Sequence, residues 1–223
     1  ASEFPADKIE IIIGSDHSTD RTADIIRELM KTESRIRFFD FKERRGKPSV
    51  INDLVKEATF SLVILTDANV YFEKNTINQL IQHFSDEKVG LVGANILNVG
   101  MRNDGISIQE KSYVQRENLI KYYEGLIWGT MMGPFGGCYM IRKELYDEVP
   151  AESLVDDFYI SMRILEKKFK CRNELTAICY EDVSNEIKEE FRRKARISSG
   201  NFQNLSRFKH FLLNPFTAAG FCF

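Results

Sequence analysis

The segment Asp67-Ala68-Asn69 combines residue types that could bind a metal ion. It follows an apolar run at residues 62–65, so it lies where a buried strand would end. A carboxylate and an amide oxygen in such a segment can face one crevice. Mg²⁺ and Mn²⁺ prefer these hard oxygen ligands and share them with substrate phosphates. A turn stabilised by the Asp and Asn side chains is the simpler alternative.

Asp156 and Asp157 are neighbouring carboxylates at a predicted helix start. A carboxylate whose pKa is tuned by its surroundings can act as a general base. Adjacent helical residues point about 100° apart, so the two side chains are expected to face different groups. We expect the helix dipole to favour ionised Asp157, and Asp156 to cap the helix or contact an acceptor. A purely structural cap with a dipole-compensating neighbour is the alternative for the pair.

A basic cluster lies in the predicted last helix and comprises Arg192, Arg193, Lys194 and Arg196. Guanidinium groups match the geometry of phosphate oxygens, so this cluster could close over a pyrophosphate. A solvated helix face explains the same residues without any ligand. The three clusters are individually weak signals, but their order along one chain strengthens the functional interpretation of each.

The elements that would position these clusters alternate between strand and helix. Apolar runs of strand length occupy residues 9–13, 36–41, 62–65 and 89–96, and amphipathic helices separate them. This alternation predicts an α/β fold with a mostly parallel sheet flanked by helices. Ligands of such sheets bind at the carboxyl ends of the strands, where Asp16 and Asp67 both lie. The first half therefore resembles a nucleotide site.

The second half is less regular. We predict a long helix at residues 110–128, a Gly-rich turn at 133–137, a strand at 138–141 and a helix from Asp156. A last strand at 177–180 and a charged helix at 186–199 complete the chain. The length of 223 residues suits one α/β domain.

Several classes of protein are disfavoured by composition and motifs. The net charge of −2 gives no surplus of positive charge for binding nucleic acid. The Gly46-Lys47 pair lacks the other residues of a P-loop, and no GxGxxG motif occurs. The four cysteines form no CxxC pair, and the three histidines lie far apart. Reduced thiols in a cytosolic compartment are the simplest interpretation.

Six segments of the chain resemble the family 2 glycosyltransferases, which have a GT-A fold. They are residues 15–22 (the family's DGSTDxT segment), 45–52 (GKxxALN), 66–69 (DxD), 136–142 (the acceptor-side glycine turn), 155–157 ((E/D)D) and 190–203 (the C-terminal motif). His17 replaces a usual Gly, and Asn69 replaces the second Asp, a variant associated with a membrane-bound bacterial branch related to polysaccharide synthases. Polymerising synthases carry Gln and Trp at the positions of Arg193 and Ile197, and this departure does not favour processive polymerisation.

The resemblance implies an inverting, metal-dependent transfer of a sugar from a nucleoside diphosphate sugar, expected to be UDP-linked. The acceptor would be a hydroxyl of a saccharide or of a lipid-linked molecule. The implied site residues are Asp157 as the base; Asp67 and Asn69 as ligands of Mg²⁺ or Mn²⁺; Asp16, Lys47, Asp67, Arg193 and Arg196 for the nucleotide sugar; and Gly136, Gly137 and Asp156 on the acceptor side.

The same resemblance divides the domain 1–223 into a nucleotide-sugar-binding half (1–100) and an acceptor-side half (101–223). The family's first strand is expected to be missing, as by truncation, and the apolar C-terminal end is expected to lead into membrane segments absent from this chain. The enzyme would then lie in the inner (cytoplasmic) membrane, with this domain facing the cytoplasm. A sugar-1-phosphate nucleotidyltransferase and a catalytically inactive nucleotide-sugar-binding module are the alternatives.

Overall fold

The structure, a computed structural model, describes residues 3–99, 105–182 and 187–211. Its strands are β1 (Ile11–Asp16), β2 (Ile36–Phe41), β3 (Leu62–Thr66), β4 (Val70–Phe72), β5 (Val89–Val99), β6 (Cys138–Arg142) and β7 (Lys170–Asp182). Its α-helices are α1 (Thr22–Met30), α2 (Lys47–Glu57), α3 (Thr76–Ile81), α4 (Gly105–Ile127), α5 (Asp156–Glu166) and α6 (Ile187–Arg207).

The strands form two sheets. β1 and β2 pair in parallel, and the larger sheet has the strand order β3-β6-β5-β7-β4. Within the larger sheet, β5 and β7 are parallel, whereas β6 runs antiparallel to both β3 and β5, and β4 runs antiparallel to β7. The α/β class is therefore confirmed, but the prediction of a mostly parallel sheet is wrong for the larger sheet. The direction of a strand depends on the end of the sheet at which the preceding connection delivers the chain. For β4 that connection is the 67–69 turn, and for β6 it includes α4. The pattern of apolar residues does not encode which end this is.

The antiparallel course of β6 has a direct consequence for the predicted site. Thr66 at the end of β3 lies opposite Cys138 at the start of β6. Glu181 near the end of β7 lies opposite Val70 at the start of β4. The segment 67–69, the glycine turn before β6 and the end of β7 therefore meet at one edge of the sheet.

The larger sheet separates two apolar cores. Leu91, Tyr139 and Ile141 belong to the core that α5 covers, whereas Val92 and Met140 belong to the core that α3 covers. Successive residues of one strand thus enter opposite cores, as the alternation of side chains along a strand requires. Burial on both faces explains why these strands read as continuous apolar runs.

An apolar cleft of about 440 Å³ lies between the two sheets. Its walls come from β1, α2, α3 and β3, and its polar end carries Lys47, Asp67 and Asp156. The apolar end of the chain, residues 212–223, lies outside the described residues. In the part of the chain that the structure does describe, no helix combines the length and the apolar character needed to cross a membrane.

Close packing at Gly14 fixes α2 against β1. A Cβ atom at this position would lie 2.6 Å from Val50 Cγ1 and 2.9 Å from Leu54 Cδ1. We therefore expect Gly14→Ala to lower the free energy of unfolding by about 1–3 kcal/mol, because overpacking displaces α2. Chemical denaturation of the chain measures this change.

The companion variant Val50→Ala removes the atom nearest to the new methyl group. The two substitutions should therefore cost less together than the sum of their separate costs. Additive costs would show that the β1–α2 contact is not the source of the strain.

Candidate active site

Lys47 connects two of the predicted site carboxylates. Its Nζ lies 2.6 Å from Asp67 Oδ1 and 3.9 Å from Asp156 Oδ2. Asp67 follows β3, Asp156 begins α5 and Lys47 begins α2, so three separate elements meet at this ammonium group. Partial burial lowers the pKa of Lys47, but the charges of Asp156 and Asp67 outweigh that effect, and the net pKa is raised. Lys47 is therefore held as a cation between the two carboxylates.

Asp16 holds the loop that delivers Lys47. Its carboxylate accepts hydrogen bonds from the backbone N–H groups of Arg45 at 2.6 Å and Gly46 at 2.9 Å. Gly46 has a φ of +84°, which favours glycine, and Pro48 follows in the first turn of α2. The predicted nucleoside-side residues Asp16 and Lys47 are thus brought together, with Asp16 engaged by the backbone.

The Asp67–Asn69 segment is joined to the glycine turn and to the end of β7. Asp67 N–H donates to Gly137 O at 3.2 Å, and the Thr66 hydroxyl donates to the same oxygen at 2.9 Å. The amide nitrogen of Asn69 donates to Asp182 O at 3.2 Å and to Glu181 Oε1 at 3.5 Å. The structure therefore places both predicted metal ligands at the same sheet edge as Gly137.

The donor set at this edge fits a divalent cation that also binds a phosphate. Asp67 and Asn69 offer carboxylate and amide oxygens, the types that Mg²⁺ and Mn²⁺ prefer. Among the described residues, no three carboxylate, imidazole or thiol side chains converge as a complete metal-binding cluster. The two residues would therefore supply part of a coordination shell, and a ligand such as a diphosphate would complete it.

Glu181 is a site residue that the sequence analysis missed. Its carboxylate accepts from Asn69, and Glu181 Oε2 would lie 3.6 Å from a Cβ atom at Gly137. Burial raises the pKa of Glu181 despite the opposing effect of Arg193. The sequence feature that could have indicated Glu181 is the pair of acidic residues, Glu181 and Asp182, directly after the predicted last strand at 177–180.

Asp157 lies against the glycine turn. A Cβ atom at Gly136 would be 2.5 Å from Asp157 Oδ2, so the carboxylate approaches the backbone where only glycine leaves room. Asp157 Oδ1 also accepts from Phe158 N–H at 2.6 Å. Burial and the neighbouring charge of Asp156 raise the pKa of Asp157 to about 7. The dipole at the start of α5 favours the ionised form, and desolvation and like charge oppose it, so the role of Asp157 as the base stays a prediction.

Asp156 does not cap α5. Val155 occupies the cap position, and α5 has no side-chain cap hydrogen bond. The buried Asp156 carboxylate faces Lys47 instead, together with Asp67 at the polar end of the cleft. The predicted capping role is therefore wrong, since the charge of Lys47 attracts this carboxylate into the cleft. The predicted acceptor-side role of Asp156 stays a prediction.

Tyr139 is a second residue that the sequence analysis did not single out. It lines the same cleft, and its hydroxyl is a buried group without a hydrogen-bond partner in the described part of the chain. Burial and the charges of Asp156 and Asp157 raise its pKa far above the ordinary range. This hydroxyl therefore stays protonated and is a hydrogen-bond donor facing the acidic end of the cleft.

The two predicted phosphate-binding arginines lie on α6 and contact different groups. The Arg193 guanidinium donates to Glu190 at 2.9 and 3.1 Å, and its charge partly offsets the burial that raises the pKa of Glu181 at the end of β7. Arg196 donates to Leu154 O at 2.6 Å, just before Asp156 and Asp157. Arg193 is thus close to the metal-ligand side, whereas Arg196 holds the segment that leads into α5.

Comparisons with known proteins agree with this geometry. Residues 1–149 match the family described as Glycosyl transferase family 2. Poly-beta-1,6-N-acetyl-D-glucosamine synthase of Staphylococcus aureus (strain COL) is 26% identical over 208 residues, which are 90% of this chain and 49% of that protein. The same enzyme of Staphylococcus epidermidis is 26% identical over 211 residues, 92% of this chain and 50% of that protein. The chain thus spans about half the length of the curated relatives it matches.

Two solved structures share the fold. The mannosyltransferase PcManGT from Pyrobaculum calidifontis, in complex with GDP-Man and Mn²⁺, superposes with a TM-score of 0.75 at 22% identity, covering 92% of this chain and 57% of that chain. S. aureus TarS superposes with a TM-score of 0.61 at 16% identity, covering 83% of this chain and 33% of that chain. The likeness to PcManGT confirms the GT-A-like α/β architecture, and the match over residues 1–149 establishes that the chain belongs to glycosyl transferase family 2.

Proposed function

We propose that this chain is the catalytic domain of an enzyme that transfers a sugar from a nucleoside diphosphate sugar to an acceptor hydroxyl. One observation carries the proposal. Lys47 connects Asp67 to Asp156, and the neighbouring Asp157 has its pKa raised to about 7 beside Gly136. Such a site provides an ammonium group for a diphosphate, oxygen ligands for a divalent cation, and next to them a carboxylate suited to accept a proton near neutral pH.

On the donor side, Asp67 and Asn69 would hold Mg²⁺ or Mn²⁺. When bound, the cation would neutralise negative charge on the leaving diphosphate. Lys47 is placed to meet the same diphosphate, and Arg193 and Arg196 are proposed to stabilise it from α6. The neighbour PcManGT is described with GDP-Man and Mn²⁺, which supports a divalent cation and a nucleotide sugar. For this chain we propose a UDP-linked donor.

On the acceptor side, Asp157 accepts the proton of the attacking hydroxyl. The hydroxyl oxygen forms a bond to the anomeric carbon of the donor as the bond from that carbon to the diphosphate oxygen breaks. Attack from the face opposite the leaving group inverts the anomeric configuration. Gly136 lets the acceptor approach, because the turn carries no side chain next to Asp157.

The relatives narrow the class of acceptor. They are synthases of poly-beta-1,6-N-acetyl-D-glucosamine, which favours a saccharide or lipid-linked acceptor and a role in polysaccharide biosynthesis. We extend this to a location at the inner (cytoplasmic) membrane, with this domain on the cytoplasmic side and the membrane segments outside this chain.

Replacing Asp157 by Asn tests the reaction directly. Asn keeps the shape and the acceptor for Phe158 N–H, but it cannot take a proton. We expect the turnover of the full-length enzyme to fall by about two orders of magnitude or more, with UDP affinity nearly unchanged. Asp147→Asn is the matched control, because Asp147 pairs with Arg163 in the last turn of α5 and with Lys167 just after it. Near-normal turnover of Asp157→Asn at saturating substrates would rule out Asp157 as the base.

The raised pKa of Asp157 also predicts a pH-dependent stability. The folded pKa is about 7 against an ordinary value of 3.8, so this group's stabilising contribution is complete below about pH 4 and is lost as pH rises through 7. The melting temperature of Asp157→Asn should therefore match that of the wild type near pH 4 and exceed it near pH 8. Thermal unfolding across this range measures the difference.

Asp147 provides a control of opposite sign. Burial raises its pKa, but Lys167 and Arg163 outweigh that effect and lower it overall. Asp147→Asn should therefore lose stability at neutral pH and approach the wild type at low pH. Parallel pH profiles for the two variants would contradict the assignment of a raised pKa to Asp157.

Metal binding is tested by calorimetry on the full-length protein. UDP should bind more tightly with Mn²⁺ or Mg²⁺ than with EDTA, and Asp67→Ala should remove that difference. Asp86→Ala is the control, because Asp86 is also ion-paired, with Lys170 at 3.0 Å, but precedes β5 away from the site. UDP binding that is equally tight with and without metal would count against Asp67 and Asn69 as ligands.

A further inference from the structure

Lys121 is a buried lysine that faces the backbone of the acceptor-side turn. It lies on α4 with only 14% of its side chain exposed. Its Nζ donates to Met132 O at 3.1 Å and to Gly133 O at 2.5 Å. The ammonium also lies 5.6 Å from the centroid of the Phe135 ring. A long side chain is thus immobilised with its charge inside the protein, an arrangement with a substantial desolvation cost.

The same turn is held from the opposite side by α5. Gly133 N–H donates to Ser161 Oγ at 2.9 Å, and that hydroxyl donates to Phe158 O at 2.8 Å. Gly133 has a φ of +63°, and a Cβ atom there would lie 2.8 Å from Phe158 Cδ2. Lys121 and Ser161 therefore clamp one stretch of backbone, which continues to Gly136 beside the Asp157 carboxylate.

The charges around Asp157 come from three helices. Asp156 raises its pKa from within α5, whereas Lys47 of α2 and Lys121 of α4 lower it. The titratable Tyr139 of β6 also faces the pair and remains neutral. Burial lowers the pKa of Lys121, and Glu117, Glu124 and Asp157 oppose that effect. Coulombic interactions are stronger away from water, so the buried Lys121 charge contributes to the pKa of Asp157 beside that of Lys47.

We propose that Lys121 is a positioning residue for sugar transfer. It fixes the 132–133 turn against α5, and with it the backbone that the Asp157 carboxylate contacts, and it contributes a buried positive charge to this part of the site. This inference rests on the proposed role of Asp157 as the base. Lys47 already pairs with Asp67 and is placed to meet the donor diphosphate. Lys121 instead pairs with Glu117 of its own helix at 3.9 Å and donates to the turn, so donor binding leaves its position unchanged.

The test is the pH dependence of kcat/KM for the full-length enzyme in membranes. The acidic limb of the profile is the rise of kcat/KM as the base loses its proton. In Lys121→Met this limb should shift to higher pH by about 1 pH unit or more, because the base loses a nearby positive charge. Lys121→Arg keeps the charge and should leave the limb near its wild-type position. Lys143→Met is the matched control, because Lys143 Nζ also donates to two backbone carbonyls, those of Lys56 and Ala58, remote from Asp157.

A second variant separates the charge of Lys121 from its hold on the turn. Ser161→Ala loosens the turn from the α5 side without removing a charge, so it should lower kcat and leave the acidic limb in place. If Lys121→Met fails to fold, Lys121→Gln retains one donor group and carries the same expectation. An unmoved limb in the neutral variants, or an equal shift in Ser161→Ala or Lys143→Met, would overturn the proposal. Absence of sugar transfer by the wild type would instead refute the proposed function itself.

Discussion

The site depends on the ammonium group of Lys47, which lies between Asp67 and Asp156. Two carboxylates at the polar end of an apolar cleft repel each other, and a shared cation makes their approach favourable. Three elements must meet for this contact to form: the end of β3, the start of α2 and the start of α5. Asp16 contributes from a fourth element, since it binds the backbone that carries Lys47. The diphosphate of the proposed donor would compete with these two carboxylates for the Lys47 ammonium group. The strength of the Lys47 contacts would therefore affect how tightly the donor binds.

Backbone groups of the glycine turn connect the two parts of the proposed site. In the turn before β6, Gly137 O accepts hydrogen bonds from Asp67 N–H and from the Thr66 hydroxyl, and Gly136 lies against Asp157. The metal-ligand segment and the proposed base are therefore joined through a few peptide units. Tight coupling of this kind suits a single displacement, in which the leaving group and the attacking hydroxyl must be aligned on one carbon atom.

Desolvation gives neighbouring carboxylates different properties. Asp156 is drawn to Lys47, whereas burial and the charge of Asp156 raise the pKa of Asp157 to about 7. A base with a pKa near the working pH is both available and strong enough to take a proton. A buried acid whose pKa is raised by a neighbouring carboxylate is typical of sites where that acid performs the chemistry.

The sequence by itself determined the α/β class, the strand at residues 36–41, the start of α5 at Asp156 and the polar residues that follow β1 and β3. Apolar runs and acidic residues in a first helical turn are local signals, and the resemblance added the family. The direction of β6, the short β4, the arrival of Glu181 and Lys121 at the site, and the raised pKa of Asp157 were decided only by the tertiary structure. Each of these depends on how residues far apart in the chain pack together and exclude water, and the amino-acid pattern around a single residue does not contain that information.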